Sequence, residues 1–337
     1  MKNISKISLG FFPTPIEYAN NLTELLNGPE IYIKRDDLSG LALGGNKVRK
    51  LEYLLADLKN RGVDTVITTD HVQSNWSCLT SACARKLNMR VILILKTNPS
   101  EPIPTKYDGN LLLNYMLGSD IRIVKNEEKM KLILEEVFNE CKKKNYNAEL
   151  IDITSAEGPL SAVGYFDAAK EITEQMKDKL PNYVFVTAAL SSTQAGLVTG
   201  FKYFNEKIKV VGINCGFKDD VFVKNAVYSV CTDLSKILEI NSIVSKDDVI
   251  VIDDYAEGGY RKITSRVVDA VKLLSSTESI FIDPVYTGKT LLGLIDMIKN
   301  NKISKNDRVV LMHTGGVPNI FAFGDLLSKN KTPNILD

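Results

Sequence analysis

Gly44-Gly45-Asn46-Lys47-Val48-Arg49-Lys50-Leu51-Glu52 is the stretch from which the rest of the chain is best read. Two glycines permit tight or left-handed backbone just ahead of a helix. Asn46 is expected to cap that helix through its side-chain oxygen. Val48, Leu51, Leu54, Leu55 and Leu58 then recur at helical spacing, and Gly62 closes the pattern. Lys47 stands at the helix entrance, where the positive end of the dipole disfavours a second positive charge. Burial would push the same way and make a neutral amine available, the form that builds Schiff bases. The plain alternative is a solvated lysine in a first helical turn.

Working outward, strand-like and helix-like segments alternate. Ile31–Arg35 reads as a strand running into the glycine pair, and Thr65–Thr69 as a strand rich in β-branched residues. A polar turn, Asp70 to Asn75, leads into a helix predicted over Trp76–Leu87. Arg90–Leu95 is near-continuously apolar, as in a sheet covered on both faces. A proline-rich loop at Asn98–Pro104 precedes helix Leu111–Leu117, strand Ile121–Val124 and helix Lys129–Lys144. Around Ala148–Ser155 the chain is expected to cross to a second lobe. There a helix near Ser161–Met176 precedes strand Tyr183–Thr187, and strand Lys209–Asn214 precedes a helix near Val221–Leu238. Strand Val249–Ile252 and helix Ser265–Leu274 come next, then a strand at Ile280–Asp283 ending at a helix start, and a last strand at Arg308–Met312. This alternation predicts an α/β protein of two doubly wound lobes with largely parallel sheets, and ligands at the strands' carboxyl ends.

Composition narrows the function classes. Across 337 residues, 42 basic side chains face 41 acidic ones, and no basic patch suggests nucleic acid or anionic membrane. No run reaches the roughly 18 apolar residues of a membrane span, and Met1–Gly10 lacks a signal-peptide core. The 5 cysteines have no CxxC spacing, which fits reduced thiols and a cytoplasmic location. With 2 histidines, His71 and His313, a zinc site or a histidine-based hydrolase triad is poorly supplied, and no metal is expected.

Polar turns at strand ends carry the remaining chemistry. Ser191 to Gly196 offers hydroxyls and N–H groups at a helix start, suited to a phosphate, although on its own an ordinary helix cap is the plainer reading. Gln73-Ser74-Asn75 has the same character and could hold a carboxylate or a phenolate oxygen. Tyr286-Thr287-Gly288 and Thr314-Gly315-Gly316 add hydroxyls at two further carboxyl ends. Walker and GxGxxG motifs are absent.

Taken together, Gly44–Glu52, Gln73-Ser74-Asn75, Asp283-Pro284-Val285-Tyr286-Thr287-Gly288-Lys289 and His313-Thr314-Gly315-Gly316 resemble the D-cysteine desulfhydrase and 1-aminocyclopropane-1-carboxylate deaminase family. Gly109–Leu113 and Pro159–Tyr165 resemble it too, so the likeness runs from about residue 10 to about residue 325. It implies the tryptophan-synthase β-like fold (pyridoxal-phosphate fold type II), pyridoxal 5'-phosphate as cofactor, a small amino acid as substrate, and a homodimer. It also implies a large lobe of residues 1–47 and 156–337, with residues 48–155 as a small lobe inserted in it. By the same likeness Lys47 holds the cofactor and moves the Cα proton. Asn75 faces the cofactor's phenolic oxygen, and Ser191, Ser192, Thr193 and Ala195 surround its phosphate. Ser74 lies beside the substrate, Tyr260 and Tyr286 stand over it, and Thr287 or Thr314 faces the pyridine nitrogen.

Within that family the cyclopropane deaminases have glutamate at the position of Thr287 and leucine at that of Thr314, whereas desulfhydrases carry hydroxyls at both. A hydroxyl pair makes a weaker electron sink, which favours α,β-elimination of a thiol-like group. The expected activity is thus a lyase converting a small D-cysteine-like amino acid to a 2-oxo acid, ammonia and the leaving group. β-Replacement or deamination of a modified amino acid is the enzymatic alternative; a catalytically inactive cofactor-binding protein is the alternative of another class. Asp70, His71 and Trp76 replace residues usual in the family, and His71 and Trp76 are expected to touch substrate with Ser74 and Asn75.

Overall fold

The computed structural model describes residues 1–97, 102–125, 127–189, 191–204, 207–241 and 244–328. Most of the Asn98–Pro104 loop and Leu190 therefore lie outside the described residues. Among the described residues ten strands are seen: β1 (Ile16–Tyr18), β2 (Glu30–Arg35), β3 (Thr65–His71), β4 (Arg90–Lys96), β5 (Asp120–Val124), β6 (Ala148–Leu150), β7 (Tyr183–Ala188), β8 (Lys209–Asn214), β9 (Ile250–Ile252) and β10 (Arg308–His313). They divide between a six-stranded sheet ordered β1-β2-β10-β7-β8-β9 and a four-stranded sheet ordered β5-β4-β3-β6. All pairs are parallel except β1 with β2, where Ile16 faces Lys34 across an antiparallel ladder. The α/β architecture with two largely parallel sheets is the expected one. We propose 48–155 as the small lobe and 1–47 with 156–337 as the large one.

Both faces of the larger sheet are covered, which is why its central strands read as unbroken apolar runs. Along β10, Val309 and Leu311 point into a core shared with Ile33, Phe185 and the helix Thr287–Lys299. Val310 and Met312 point the other way, against Tyr165, Leu197 and Phe201 of the helices Pro159–Gln175 and Ser192–Tyr203. These two helices approach so closely that a Cβ on Gly196 would lie 2.4 Å from the Ala162 carbonyl oxygen.

The helix opened by Lys47 runs Lys47–Asn60. Its Arg49 is tied into a buried knot: the guanidinium donates to Asp36 at 2.9 and 3.0 Å and to Glu171 at 2.8 Å, while Tyr165 donates to Asp36 at 2.6 Å and Lys34 to Glu171 at 3.0 Å. Burial opposes charge on Asp36, yet Arg49 and Lys34 hold its carboxyl below the usual range. The knot fixes this helix against β2 and the helix Pro159–Gln175.

Three local expectations fail for identifiable reasons. Asn46 does not cap its helix: it is itself helical, at φ −58° and ψ −23°, and its amide reaches Thr193 at 3.4 Å. The Gly45 carbonyl takes the Val48 N–H instead. Ile280 and Ile282 are buried on either side of an exposed Phe281, yet the segment joins neither sheet; the Phe281 carbonyl instead meets the His313 ring at 2.9 Å. Asp70 and His71 are the last residues of β3, not a turn, because β3 pairs with β4 out to His71 opposite Lys96. Among the described residues no helix is long and apolar enough to cross a membrane.

Candidate active site

The larger sheet presents the carboxyl ends of β7 and β10 to one cleft through Thr187, Ala189 and Thr314, and Asn75, just after β3, reaches it from the smaller sheet. Lys47, Lys50, Asn75, Glu157, Ser191 and Thr314 are among the residues lining it. The approach of Lys47 depends on the glycine pair before it. Gly44 and Gly45 have φ of +69° and +137°, and Gly45 bridges to Gly315, itself at +86°. A Cβ on Gly315 would lie 2.6 Å from the Gly45 Cα, so the two loops meet only as glycines.

Burial first, and the neighbouring Lys50 next, push the Lys47 ammonium down to about 8, against the pull of Glu157, Asp283 and Asp70. Its Nζ lies 5.9 Å from the Tyr286 ring centre. Tyr286 and Tyr260 meet phenol to phenol at 2.5 Å, and burial keeps both hydroxyls protonated. The Tyr260 loop is fastened by Lys289, whose buried ammonium donates to the carbonyls of Cys215, Ala256 and Gly259 at 3.0, 2.6 and 2.8 Å.

Ser74 caps the helix Asn75–Lys86, accepting the Ser77 N–H at 3.1 Å, and its hydroxyl donates to Asp70. Asn75 is aimed by a residue to which the sequence assigned no role. Asn110 donates its amide to the Gln73 carbonyl at 3.0 Å and to Asn75 Oδ1 at 2.7 Å. That leaves the Asn75 amide nitrogen, which lies beside Gly316, as the donor not engaged by Asn110. Thr314 lines the cleft and Thr287 stands behind it, hydroxyl to hydroxyl at 3.1 Å. Asp283 accepts the N–H groups of Val285, Tyr286 and Thr287 at 2.8–2.9 Å and sets that helix start; burial pushes its carboxyl up to about 6.

A second cavity, of about 350 Å³, adjoins the cleft through Tyr286. Asp70, His71 and Tyr260 line it, and His71 Nδ1 accepts the Gln73 N–H at 3.0 Å, which puts any ring proton of the neutral form on Nε2. Two predicted site residues are not brought here. The Trp76 indole turns into the small-sheet core and donates to Thr68 Oγ1 and the Ile151 carbonyl, both at 3.1 Å. Ala195 is one full turn inside its helix, with its N–H spent on the Ser191 carbonyl and its methyl in the core.

Ser191, Ser192 and Thr193 do stand at the start of the helix Ser192–Tyr203, with Lys50 nearby. Their donors already accommodate an anion, the carboxylate of Glu157, which the Ser191 and Ser192 N–H groups meet at 2.8 Å. An activated lysine, an aimed amide and an anion cradle in one cleft match the needs of pyridoxal phosphate. The family model for pyridoxal-phosphate dependent enzymes matches residues 7–315. The chain belongs to that family.

Relatives narrow it further. A Pyrococcus horikoshii protein named "Putative 1-aminocyclopropane-1-carboxylate deaminase" is 34% identical, over 96% of this chain and 95% of its own. A solved structure described as an ACC deaminase homologue superposes at a TM-score of 0.86, with 33% identity and 97% of both chains covered. The processed form of threonine deaminase isoform 2 from Solanum lycopersicum shares the fold at a TM-score of 0.65 and 17% identity, over 94% of this chain and 82% of that one. The protein is a pyridoxal-phosphate dependent enzyme of the ACC deaminase type, a lyase or deaminase in the broad sense.

Proposed function

We propose that this enzyme carries out α,β-elimination on a small β-substituted amino acid of the D-cysteine kind, releasing a 2-oxo acid, ammonia and the leaving group. The observation that carries this reading is the Thr287–Thr314 hydroxyl pair at 3.1 Å. A neutral hydroxyl partner gives a weaker electron sink than a carboxylate, enough for a leaving group that departs readily and ill matched to opening a carbon ring. When bound, pyridoxal phosphate supplies that electron sink at Cα.

The chain's own residues supply the rest. Lys47 would anchor the cofactor, and burial, which brings its ammonium down to about 8, eases release of the free amine that then takes the Cα proton. The Asn75 amide would hold the cofactor's phenolic oxygen. The backbone N–H groups at the N-terminus of the helix Asn75–Lys86 receive the substrate carboxylate, with Ser74 beside it as the cap. Tyr260 and Tyr286, both protonated, offer a proton to the departing group. Asp70 and His71 face the chamber beyond, so a β-substituent carrying a hydrogen-bond donor is favoured over an anionic one.

Ring opening of 1-aminocyclopropane-1-carboxylate is the competing reading, favoured by the names of the relatives. The test is a screen of the purified holoenzyme against D- and L-cysteine, β-chloroalanine, serine and 1-aminocyclopropane-1-carboxylate, following 2-oxo acid and ammonia. Pyruvate from a β-substituted amino acid is the expected result. Efficient 2-oxobutanoate formation from the cyclopropane substrate, with no β-substituted amino acid turned over, would refute the proposal.

A further inference from the structure

Glu157 lies outside the motifs that mark the family, in the two-residue link between the helices Ile153–Ala156 and Pro159–Gln175. Its carboxylate nevertheless takes a full set of donors in the cleft. Oε2 accepts from the N–H groups of Ser191 and Ser192 at 2.8 Å and from the Ser192 hydroxyl at 3.1 Å, and Oε1 meets the Lys50 ammonium at 3.1 Å. The Ser191 hydroxyl donates to the Glu157 carbonyl at 3.1 Å, which holds the backbone against the same helix start. Burial alone would push this carboxyl up, but Lys50, Lys47 and the two N–H groups outweigh it and keep it ionised.

These donors are the ones a phosphate would need: backbone N–H groups at a helix N-terminus, a hydroxyl and an ammonium. Two anions cannot share them, because each N–H has one proton to give and like charges repel at that range. A phosphate cannot enter beside the carboxylate.

We infer that Glu157 is a resident anion of the cofactor's phosphate cradle, which must vacate it when pyridoxal phosphate binds. The inference rests on the cofactor being seated at Lys47. Entry of the phosphate is then an exchange of one anion for another, and the donors released by Glu157 are reused, not newly recruited. Cofactor retention is weaker than the donor set alone would give, and it is the phosphate whose contribution is reduced.

The test is a titration of dialysed apoprotein with pyridoxal phosphate and with phosphate-free pyridoxal, for wild type, Glu157→Gln and Glu157→Ser. Hydrogen bonds to charged groups differ from neutral ones by enough to make the phosphate form bind roughly ten-fold tighter in both variants. Pyridoxal affinity should change less than about twofold, since that ligand has no phosphate to seat. Inorganic phosphate should likewise raise the melting temperature of the apo variants more than that of wild type. Equal or weaker pyridoxal-phosphate binding by the variants, or equal gains for both ligands, would overturn the inference. Should the variants not fold, a crystal structure of the wild-type holoenzyme decides: Glu157 still on the Ser191 and Ser192 N–H groups with phosphate present would overturn it, and Glu157 turned away would support it. None of these readouts depends on which amino acid is turned over. Failure of the elimination reading is therefore distinguishable from failure here.

Discussion

Replacing Lys47 by methionine should stabilise the cofactor-free protein. Lysine's ordinary value of 10.5 falls to about 8 at this site, which corresponds to about 3 kcal/mol of cost for keeping the ammonium charged at neutral pH, at about 1.4 kcal/mol per pH unit. Methionine fills nearly the same volume without the charge. Lys47 is only partly buried, so solvent screening reduces the gain, and about 1–2 kcal/mol is expected in practice. The pH dependence identifies the cause. The native state gives up its Lys47 proton near 8 and the unfolded chain only near 10.5, so between those values the unfolded state binds more protons and wild-type stability rises with pH. Below 8 the penalty is fully present; above 10.5 it is gone. The Lys47→Met advantage should therefore be full at pH 7 and shrink steadily across that window. Urea unfolding of the two dialysed apoproteins from pH 7 to pH 10 measures it. A methionine variant no more stable than wild type at pH 7, or one whose advantage is flat with pH, would refute the reasoning.

Four further outcomes are expected. Borohydride treatment of the holoenzyme should fix a pyridoxyl group on the peptide containing Lys47, and a label on Lys50 instead would move the anchor. Trp76→Phe should cost about 1–2 kcal/mol of stability through loss of the one indole N–H shared between two buried acceptors while kcat and KM stay within about twofold; a large KM change with unaltered stability would return the indole to the substrate. Asn110→Ala removes two buried hydrogen bonds, should cost about 2 kcal/mol, and should shift the visible cofactor band as Asn75 loses its orientation, so an unshifted band would count against that aim. Tyr286→Phe should lower kcat by roughly 100-fold or more with pyridoxal-phosphate affinity unchanged, which separates proton delivery from cofactor seating.

The regular elements were readable because both sheets are mostly covered and their strands keep long apolar runs, as at Arg90–Leu95. What escaped was set by tertiary context. β1 is three residues long and pairs only because β2 offers an open edge. Ile280–Ile282 has strand-like alternation, yet no ladder accepts it. Lys47, Asn75, Thr314 and the tyrosine pair converge as the motifs suggested. Trp76 went the other way, and a signal for that existed: Trp76, Leu79 and Cys83 fall on one face at helical spacing, and all three are buried in the same core. Glu157 gave no such warning. Thirty-four residues separate it from Ser191, and nothing in the spacing of an acid before Gly158-Pro159 points at a helix start so far along the chain. Asn110 was visible within a motif, but its task is to orient another side chain, which only the folded geometry displays.

The knot around Arg49 also bears on how Lys47 is aimed. Arg49 sits two residues from Lys47 on one helix, and Asp36 and Glu171 grip it from the larger sheet's side. The grip works like a set screw on a shaft: turning the helix about its own axis, or sliding it along, would tear Arg49 from both carboxylates at once. The direction in which Lys47 enters the cleft is therefore locked by buried charges one half-turn further along the same helix.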